Sequence, residues 1–255
     1  MQIAIRHELR FSLGTPARAV AHLLLTPLAT PQQRVERWSV DMPGISQAAQ
    51  FRDGFGNKAH LVSLQKPDEW INVVVEATAE TTDKAGVIGR LDLDPMPAMY
   101  RRATAASPVE GELIAGLGEI KDRIARLHEL MGRIHARLPA THQTQLQADQ
   151  SQSQGTVKAA VECAHAFVGA ARALDVPARY VTGYLLDDDL SGFHSWAEAW
   201  DDGLGWIGFD PLLDVCPADN HVRLASGLDA RGTMPIRTVP VWSAMPDEIV
   251  TVEAL

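Results

Sequence analysis

Two aromatic-rich runs joined by a tight turn constrain the fold of this chain more than any other feature. They span residues 193–213 and read FHSWAEAWDDGLGWIGFDPLL. The DDGLG between them is typical of a β-hairpin turn. Because the strands of a tight hairpin lie side by side, their far ends come together. We therefore expect His194, at the start of the first strand, to meet Asp210, at the end of the second.

The segment before this hairpin predicts helices followed by a strand. Apolar residues recur at helical spacing from Leu113 to Leu138, which predicts one long helix closed by Pro139. The run VKAAVECAHAFVGAARAL at 157–174 also favours helix, and RYVTGYLL at 179–186 reads as a strand. The polar stretch 141–156 between the two helices predicts a loop. Helices followed by strands predict an α+β core domain over 108–240.

The N-terminal part has the rhythm of strands. IAIRHELRFSL and WINVVVEATAETT are alternating or β-branched runs, and LGTP and DGFGN are turn signals. We predict an antiparallel β-sandwich-like domain over 1–90 and a Pro-containing linker over 91–107. The acidic residues 241–255 form a predicted C-terminal tail.

Composition excludes several classes of function. The chain has 255 residues, of which 46% are hydrophobic and 22% charged, as in ordinary soluble proteins. A net charge of -9 without a basic run argues against a nucleic-acid partner. The N-terminus lacks the apolar stretch of a signal peptide, and the apolar run 19–29 is too short to span a bilayer. With only two cysteines, the sequence predicts a cytoplasmic protein without a membrane partner.

The two cysteines bear on thiol and metal chemistry. A thiol enzyme needs a thiolate, an imidazole that exchanges its proton and a carboxylate that orients the imidazole. A thiolate gains most at a helix N-terminus, whereas Cys163 lies inside a helical run and is expected to be a small buried side chain. His165, two positions later, points to another side of the helix. A zinc site of Cys163, His194 and Cys216 has no recognisable spacing, so we expect no metal and no cofactor.

Several segments carry a resemblance to a known family. HSWAEAW and GLGWIGFDP, together with ALDVPARYVTGYL, closely resemble the bacterial transglutaminase-like family of papain-type thiol enzymes. FRDGFGNKAHLV and VVVEATAETTDKAGV resemble the β-rich region that often precedes that domain. The resemblance implies a core of helices packed on an antiparallel sheet. It also implies that His194 is the general base and Asp210 its orienting carboxylate.

At the position where the family has its nucleophile, this sequence has no nucleophilic residue. The family helix carries G-x-C-x-D, and an ungapped comparison puts its glycine on Lys158, its cysteine on Ala160 and its acidic residue on Glu162. The first hypothesis is therefore a protein that keeps the His–Asp pair but lacks the nucleophile, and that binds a peptide, an amide-containing ligand or a partner protein. The alternative is an active amidohydrolase or acyltransferase that uses Cys163 as a displaced nucleophile. A third hypothesis is a scaffold that interacts through its β-rich half.

Overall fold

A computed structural model describes residues 1–138, 153–242 and 246–255 of the chain. The structure is α+β, with mostly antiparallel sheets, which confirms the predicted fold class. The helices of the described residues are α1 (Gly111–Ile114), α2 (Arg123–Ala136) and α3 (Ser153–Ala173). The strands are β1 (Gln2–Ser12), β2 (Arg18–Leu23), β3 (Gln33–Asp41), β4 (Ala49–Arg52), β5 (Lys58–Gln65), β6 (Trp70–Thr81), β7 (Val87–Gly89), β8 (Ala178–Leu185), β9 (Gly192–Asp201), β10 (Gly205–Phe209), β11 (His221–Gly227), β12 (Ile236–Val239) and β13 (Asp247–Ala254).

Two four-stranded sheets form the β-rich unit. Their strand orders are β13-β1-β6-β3 and β12-β2-β5-β4. Along β1 and β6 nearly every second residue is buried, as expected for strands that cover a core with one face. The inward residues of both sheets join one hydrophobic cluster, which includes Ile5, Phe11, Ala21 and Val73.

The chain returns to this unit at its C-terminus. Strand β12 pairs with β2, and β13 pairs with β1, where Val252 lies opposite Ile5. In the other direction, β7 leaves the N-terminal segment and pairs with β10. The predicted domain limits at residues 90 and 240 therefore do not coincide with the edges of the sheets.

The third sheet has five strands in the order β11-β8-β9-β10-β7. The β9–β10 hairpin forms where the sequence placed it, because the Asp201 carboxylate accepts hydrogen bonds from the N–H groups of Gly203 and Leu204. Helix α3 packs on β8 and β9 through a cluster that includes Phe167 and Ala197. This arrangement fixes α3 against the strand that carries His194.

The predicted single helix over 113–138 is wrong, because the chain forms α1, a 3-10 turn and α2 instead. Gly116 adopts a φ of 74° that ends α1, and α2 starts at a cap in which the Asp122 carboxylate accepts from the N–H of Ala125 at 2.7 Å. Leu113, Leu117 and Leu127 are nevertheless all buried together. The apolar spacing survives the break, so spacing alone could not reveal it.

The predicted linker over 91–107 packs into the structure. Tyr100, in the 3-10 turn Pro97–Arg101, is fully buried, and its ring meets the Trp206 ring edge-on at 5.2 Å. Arg172 of α3 donates hydrogen bonds to the Tyr100 carbonyl and to the Ser107 hydroxyl. The segment is therefore anchored to the core at both its middle and its end.

Two other predictions concern single segments. Most of the predicted loop 141–156 lies outside the described residues, which resume with α3 at Ser153. In the described part of the chain, no helix has the length and apolar character needed to cross a membrane.

Candidate active site

The structure brings His194 and Asp210 together as the hairpin predicted. Nε2 of His194 lies 2.5 Å from Oδ2 of Asp210, and both side chains are buried. Asp210 follows the last residue of β10 and also accepts a hydrogen bond from the N–H of Leu212 at 3.1 Å through Oδ1. Among the described residues, Nδ1 of His194 has no hydrogen-bond partner. An imidazole held in this way presents a free ring nitrogen for proton transfer.

A second histidine shares the same carboxylate. His221, the first residue of β11, places Nε2 at 3.2 Å from Oδ2 of Asp210. Its Nδ1 lies 2.7 Å from Oδ1 of Asn220, whose Nδ2 donates to the carbonyl of Leu186. Asp210 is thus the centre of a His–Asp–His cluster in which all three side chains are buried.

The electrostatics of this cluster keep Asp210 ionised. Burial alone would raise the pKa of Asp210, but the charges of His194 and His221 and their hydrogen bonds outweigh it and hold the pKa far below its usual range. The carboxylate therefore acts as a permanent hydrogen-bond acceptor at neutral pH.

Cys163 lies in α3, and only 5% of its surface is exposed. Burial raises the pKa of its thiol to about 12, and the negative charges of Asp210 and Glu162 add to the effect. At neutral pH the side chain is therefore a neutral thiol, in an environment unlike the electropositive sites that activate cysteines.

Ala160 lies one turn before Cys163 and is also buried in the cluster between α3 and the sheet. Its neighbours at the other two family positions face solvent. Lys158 and Glu162 form an exposed i,i+4 ion pair with 3.8 Å between Nζ and Oε1. Such a pair supports the helix surface and supplies no acid, base or nucleophile to the site.

The remaining residues considered from the sequence have structural partners. Nε2 of His165 accepts a hydrogen bond from the N–H of Ala230, and its ring lies tilted against the Tyr180 ring with 4.7 Å between the ring centres. Cys216 is a free, half-buried cysteine. Within the described ranges, the group of potential metal ligands contains His194 with Asp210 and His221, and neither cysteine belongs to it.

A buried ionic network lies on the same strand as His194. Glu198 of β9 is fully buried and accepts hydrogen bonds from Nε of Arg179 at 2.5 Å and Nε of Arg223 at 2.7 Å. Arg179 also donates to Asp94 at 2.6 Å, and its guanidinium lies 4.0 Å above the centre of the Trp206 ring. A small cleft reaches from this network to His221 and is also lined by Trp196 and Arg223.

Sequence reasoning missed His221, Asn220 and the Glu198 network. His221 stands in the segment ADNHVRLASG, which contains no motif that marks a ligand or a catalytic group. The one available signal was the alternation in HSWAEAW, which places Glu198 on the same side of its strand as His194.

Two family models match different parts of the chain. Residues 112–211 match the transglutaminase-like superfamily, and residues 3–80 match the bacterial transglutaminase-like N-terminal region. These two matches confirm the resemblance drawn from the sequence.

Individual proteins extend this likeness over the whole chain. Uncharacterized protein ML0607 of Mycobacterium leprae is 24% identical over 282 residues, which cover 99% of this chain and 98% of that protein. The crystal structure of a Cytophaga hutchinsonii protein called a "putative cysteine protease" is similar with a TM-score of 0.69 at 19% identity. The likeness covers 99% of this chain and 89% of that one, and it shows a shared transglutaminase-like, cysteine-protease-like fold.

Proposed function

We propose that this protein keeps the His–Asp pair of its superfamily, lacks the standard nucleophile, and binds a peptide, an amide-containing ligand or a partner protein without turnover through a thioester. The observation that carries the proposal is an oriented imidazole without a thiol partner. His194 is held by Asp210 at 2.5 Å, whereas the position that the resemblance assigns to the nucleophile is Ala160.

The chemistry explains why this replacement matters. In thiol acyl transfer the thiolate sulfur bonds to the acyl carbon, the carbon–nitrogen bond breaks, and the imidazolium returns its proton to the leaving amine. A methyl side chain cannot form the carbon–sulfur bond. Removal of a triad nucleophile reduces turnover by about 10⁶-fold in a studied serine protease. Binding contacts do not require the thiol and can persist.

The properties of Cys163 argue against a displaced nucleophile. The thiol is buried, and its pKa of about 12 leaves almost no thiolate at neutral pH. The carboxylate of Asp210 makes ionisation harder rather than easier. A nucleophilic cysteine needs the opposite environment.

The first experiment titrates thiols in the full chain by thiolate ultraviolet absorbance and labels them with iodoacetamide. In the wild-type protein we expect Cys163 to stay protonated and unlabelled at neutral pH. We expect Ala160→Cys to add a thiol that ionises at least tenfold more readily than the matched variant Ala164→Cys, which lies one turn further along the same buried helix face. Combining Ala160→Cys with His194→Ala should abolish this difference.

Two results would overturn the proposal. Rapid labelling of wild-type Cys163 that slows in His194→Ala would make Cys163 the nucleophile. A wild-type thioester with a blocked glutamine-containing dipeptide, detected by mass spectrometry, would do the same.

The binding part of the proposal has its own test. We expect the same dipeptide, added to the wild-type chain, to shift the imidazole resonances of His194 in a saturable way. A saturable response that also appears in the control histidine His22, on β2, would indicate general effects of the peptide instead. No response with this peptide or with longer glutamine-containing peptides would refute peptide binding at the pair.

A further inference from the structure

The two ring nitrogens of His221 face different partners in the His–Asp–His cluster. Nδ2 of Asn220 donates to the Leu186 carbonyl, so Oδ1 of Asn220 faces Nδ1 of His221 at 2.7 Å. An amide oxygen only accepts hydrogen bonds, so Nδ1 of His221 carries the hydrogen. In a neutral imidazole the other nitrogen, Nε2, then presents a lone pair.

Nε2 of His221 faces the carboxylate of Asp210. Nε2 and Oδ2 lie 3.2 Å apart, and both side chains are buried.

We propose that His194, Asp210 and His221 form a binding site for a divalent transition-metal ion. The inference goes beyond the proposed function and does not depend on it, because metal binding requires neither a thiol nor a peptide. Two imidazoles and one carboxylate are a donor set that zinc and iron use in proteins, and these ligand atoms all lie within 4.8 Å of one another.

The outer contacts of the cluster match those of a metal site. Metal-binding histidines usually donate their second ring N–H to an oxygen acceptor, which fixes the tautomer that coordinates. Asn220 does this for His221. The carboxylate is likewise held by a further hydrogen bond, from the N–H of Leu212 to its other oxygen.

The distances between the ligand atoms indicate how far these atoms must move to bind a metal ion. Metal–ligand bonds of about 2.0–2.1 Å at tetrahedral angles separate neighbouring ligand atoms by roughly 3.3 Å. The separation between His221 and Asp210 is already 3.2 Å, whereas the separation between His194 and Asp210 is 2.5 Å. Binding therefore requires the His194 ring to withdraw from the carboxylate by roughly 0.8 Å, the difference between the tetrahedral separation of roughly 3.3 Å and the present 2.5 Å.

A small cleft lies beside His221, and its lining includes the polar side chains of Glu198 and Gln32. Nε2 of Gln32 is buried without a hydrogen-bond partner in the described part of the chain. A buried amide of this kind is usually satisfied by water. Zinc sites with three protein ligands retain an open position for a water molecule, and the proposed site would hold its water on the side of this cleft.

The test uses the full chain after removal of metals with a chelator. We expect isothermal titration and elemental analysis to show one equivalent of bound Zn²⁺ or Co²⁺ and no comparable binding of Mg²⁺, because imidazole ligands favour transition metals. His221→Gln and His194→Gln should each weaken Zn²⁺ binding at least tenfold. The control variant His22→Gln, on the half-exposed face of β2, should bind as the wild type does.

A second measurement guards against variants that do not fold. In the wild-type protein labelled with nitrogen-15 in its histidines, Zn²⁺ should shift the Nε2 resonances of two histidines and leave the others unchanged. Absence of stoichiometric Zn²⁺ binding to the wild-type protein would overturn the proposal. Unchanged affinity in both variants, or a sulfur-to-cobalt absorption band from Cys163 or Cys216, would also overturn it.

Discussion

The buried carboxylate of Glu198 should be one of the most sensitive positions in the molecule. Together with the carboxylate of Asp94, it balances the charges of the two guanidinium groups in the network, those of Arg179 and Arg223. Glu198→Gln keeps the shape of the side chain but leaves one positive charge unbalanced. Arg179 is fully buried, so it cannot turn to water for compensation.

The expected loss follows from the cost of an unpaired buried charge. Removing one partner of a buried ion pair typically destabilises a protein by about 3–5 kcal/mol. At about 2–4 °C per kcal/mol for a chain of this size, the melting temperature should fall by roughly 6–20 °C. Urea unfolding followed by circular dichroism measures the change as a lower midpoint at unchanged slope.

Two control variants test whether the loss of stability comes from the burial of the unpaired charge or from the removal of a charge alone. Glu129→Gln removes an exposed i,i+4 pair with Arg133 on α2, and should change stability by less than about 0.5 kcal/mol. The double variant Glu198→Gln, Arg223→Gln restores the charge balance and should recover part of the loss. A loss below about 1 kcal/mol for Glu198→Gln, the value typical of surface pairs, would refute the reasoning.

Three further predictions test other parts of the structure. Burial alone would raise the pKa of Glu198, but the charges and hydrogen bonds of Arg179 and Arg223 lower it, so Glu198 contributes stability above its unfolded pKa of 4.5 and loses this contribution as the pH falls through the lower folded pKa. In urea unfolding, the difference in stability between the wild type and Glu198→Gln should therefore shrink over that pH range. A constant difference would contradict the direction of the pKa shift. Asp122→Ala removes the cap of α2 and should cost about 1 kcal/mol in the same assay, whereas Asp122→Asn should cost less; equal losses would argue against capping. Gly183→Ala would place a Cβ into the carbonyl of Val222 and 2.6 Å from the Trp196 ring, so it should destabilise the protein by about 1–3 kcal/mol or more. The control variant Gly54→Ala, with open space around the new Cβ, should not destabilise it. Similar melting temperatures for the two variants would refute the packing argument.

What the sequence predicted correctly was encoded locally. The hairpin followed from a turn and two runs within about twenty residues, and it brought His194 to Asp210. The break of the helix at Gly116 was not predicted, because the buried leucines keep their spacing across it. A glycine in a helical pattern is a weak signal, since its effect depends on the turn that the surrounding packing favours.

What the sequence did not predict depends on contacts between distant segments. Strand β13 pairs with β1 across almost the whole chain, and Asp94 reaches Arg179 from 85 residues away. No local pattern specifies such partners, because the strand period determines which face is buried but not which strand lies beside it. The contacts that hold the His221 ring likewise depend on Asn220, Leu186 and Asp210 from three separate positions.

Ala160 and the His–Asp pair differ in how much the stability of the fold depends on them. Ala160 fills its place in a close-packed apolar cluster, so the absence of a thiol there leaves no polar group unsatisfied. Asp210, in contrast, lies against two buried imidazoles, and its removal would leave the Nε2 atoms of His194 and His221 without this partner. The fold itself therefore gives a reason to maintain the His–Asp pair, and the presence of that pair is no evidence of turnover. Only a reactive thiol or a bound metal ion at these residues would give the pair a chemical role, and the two experiments above detect these roles separately.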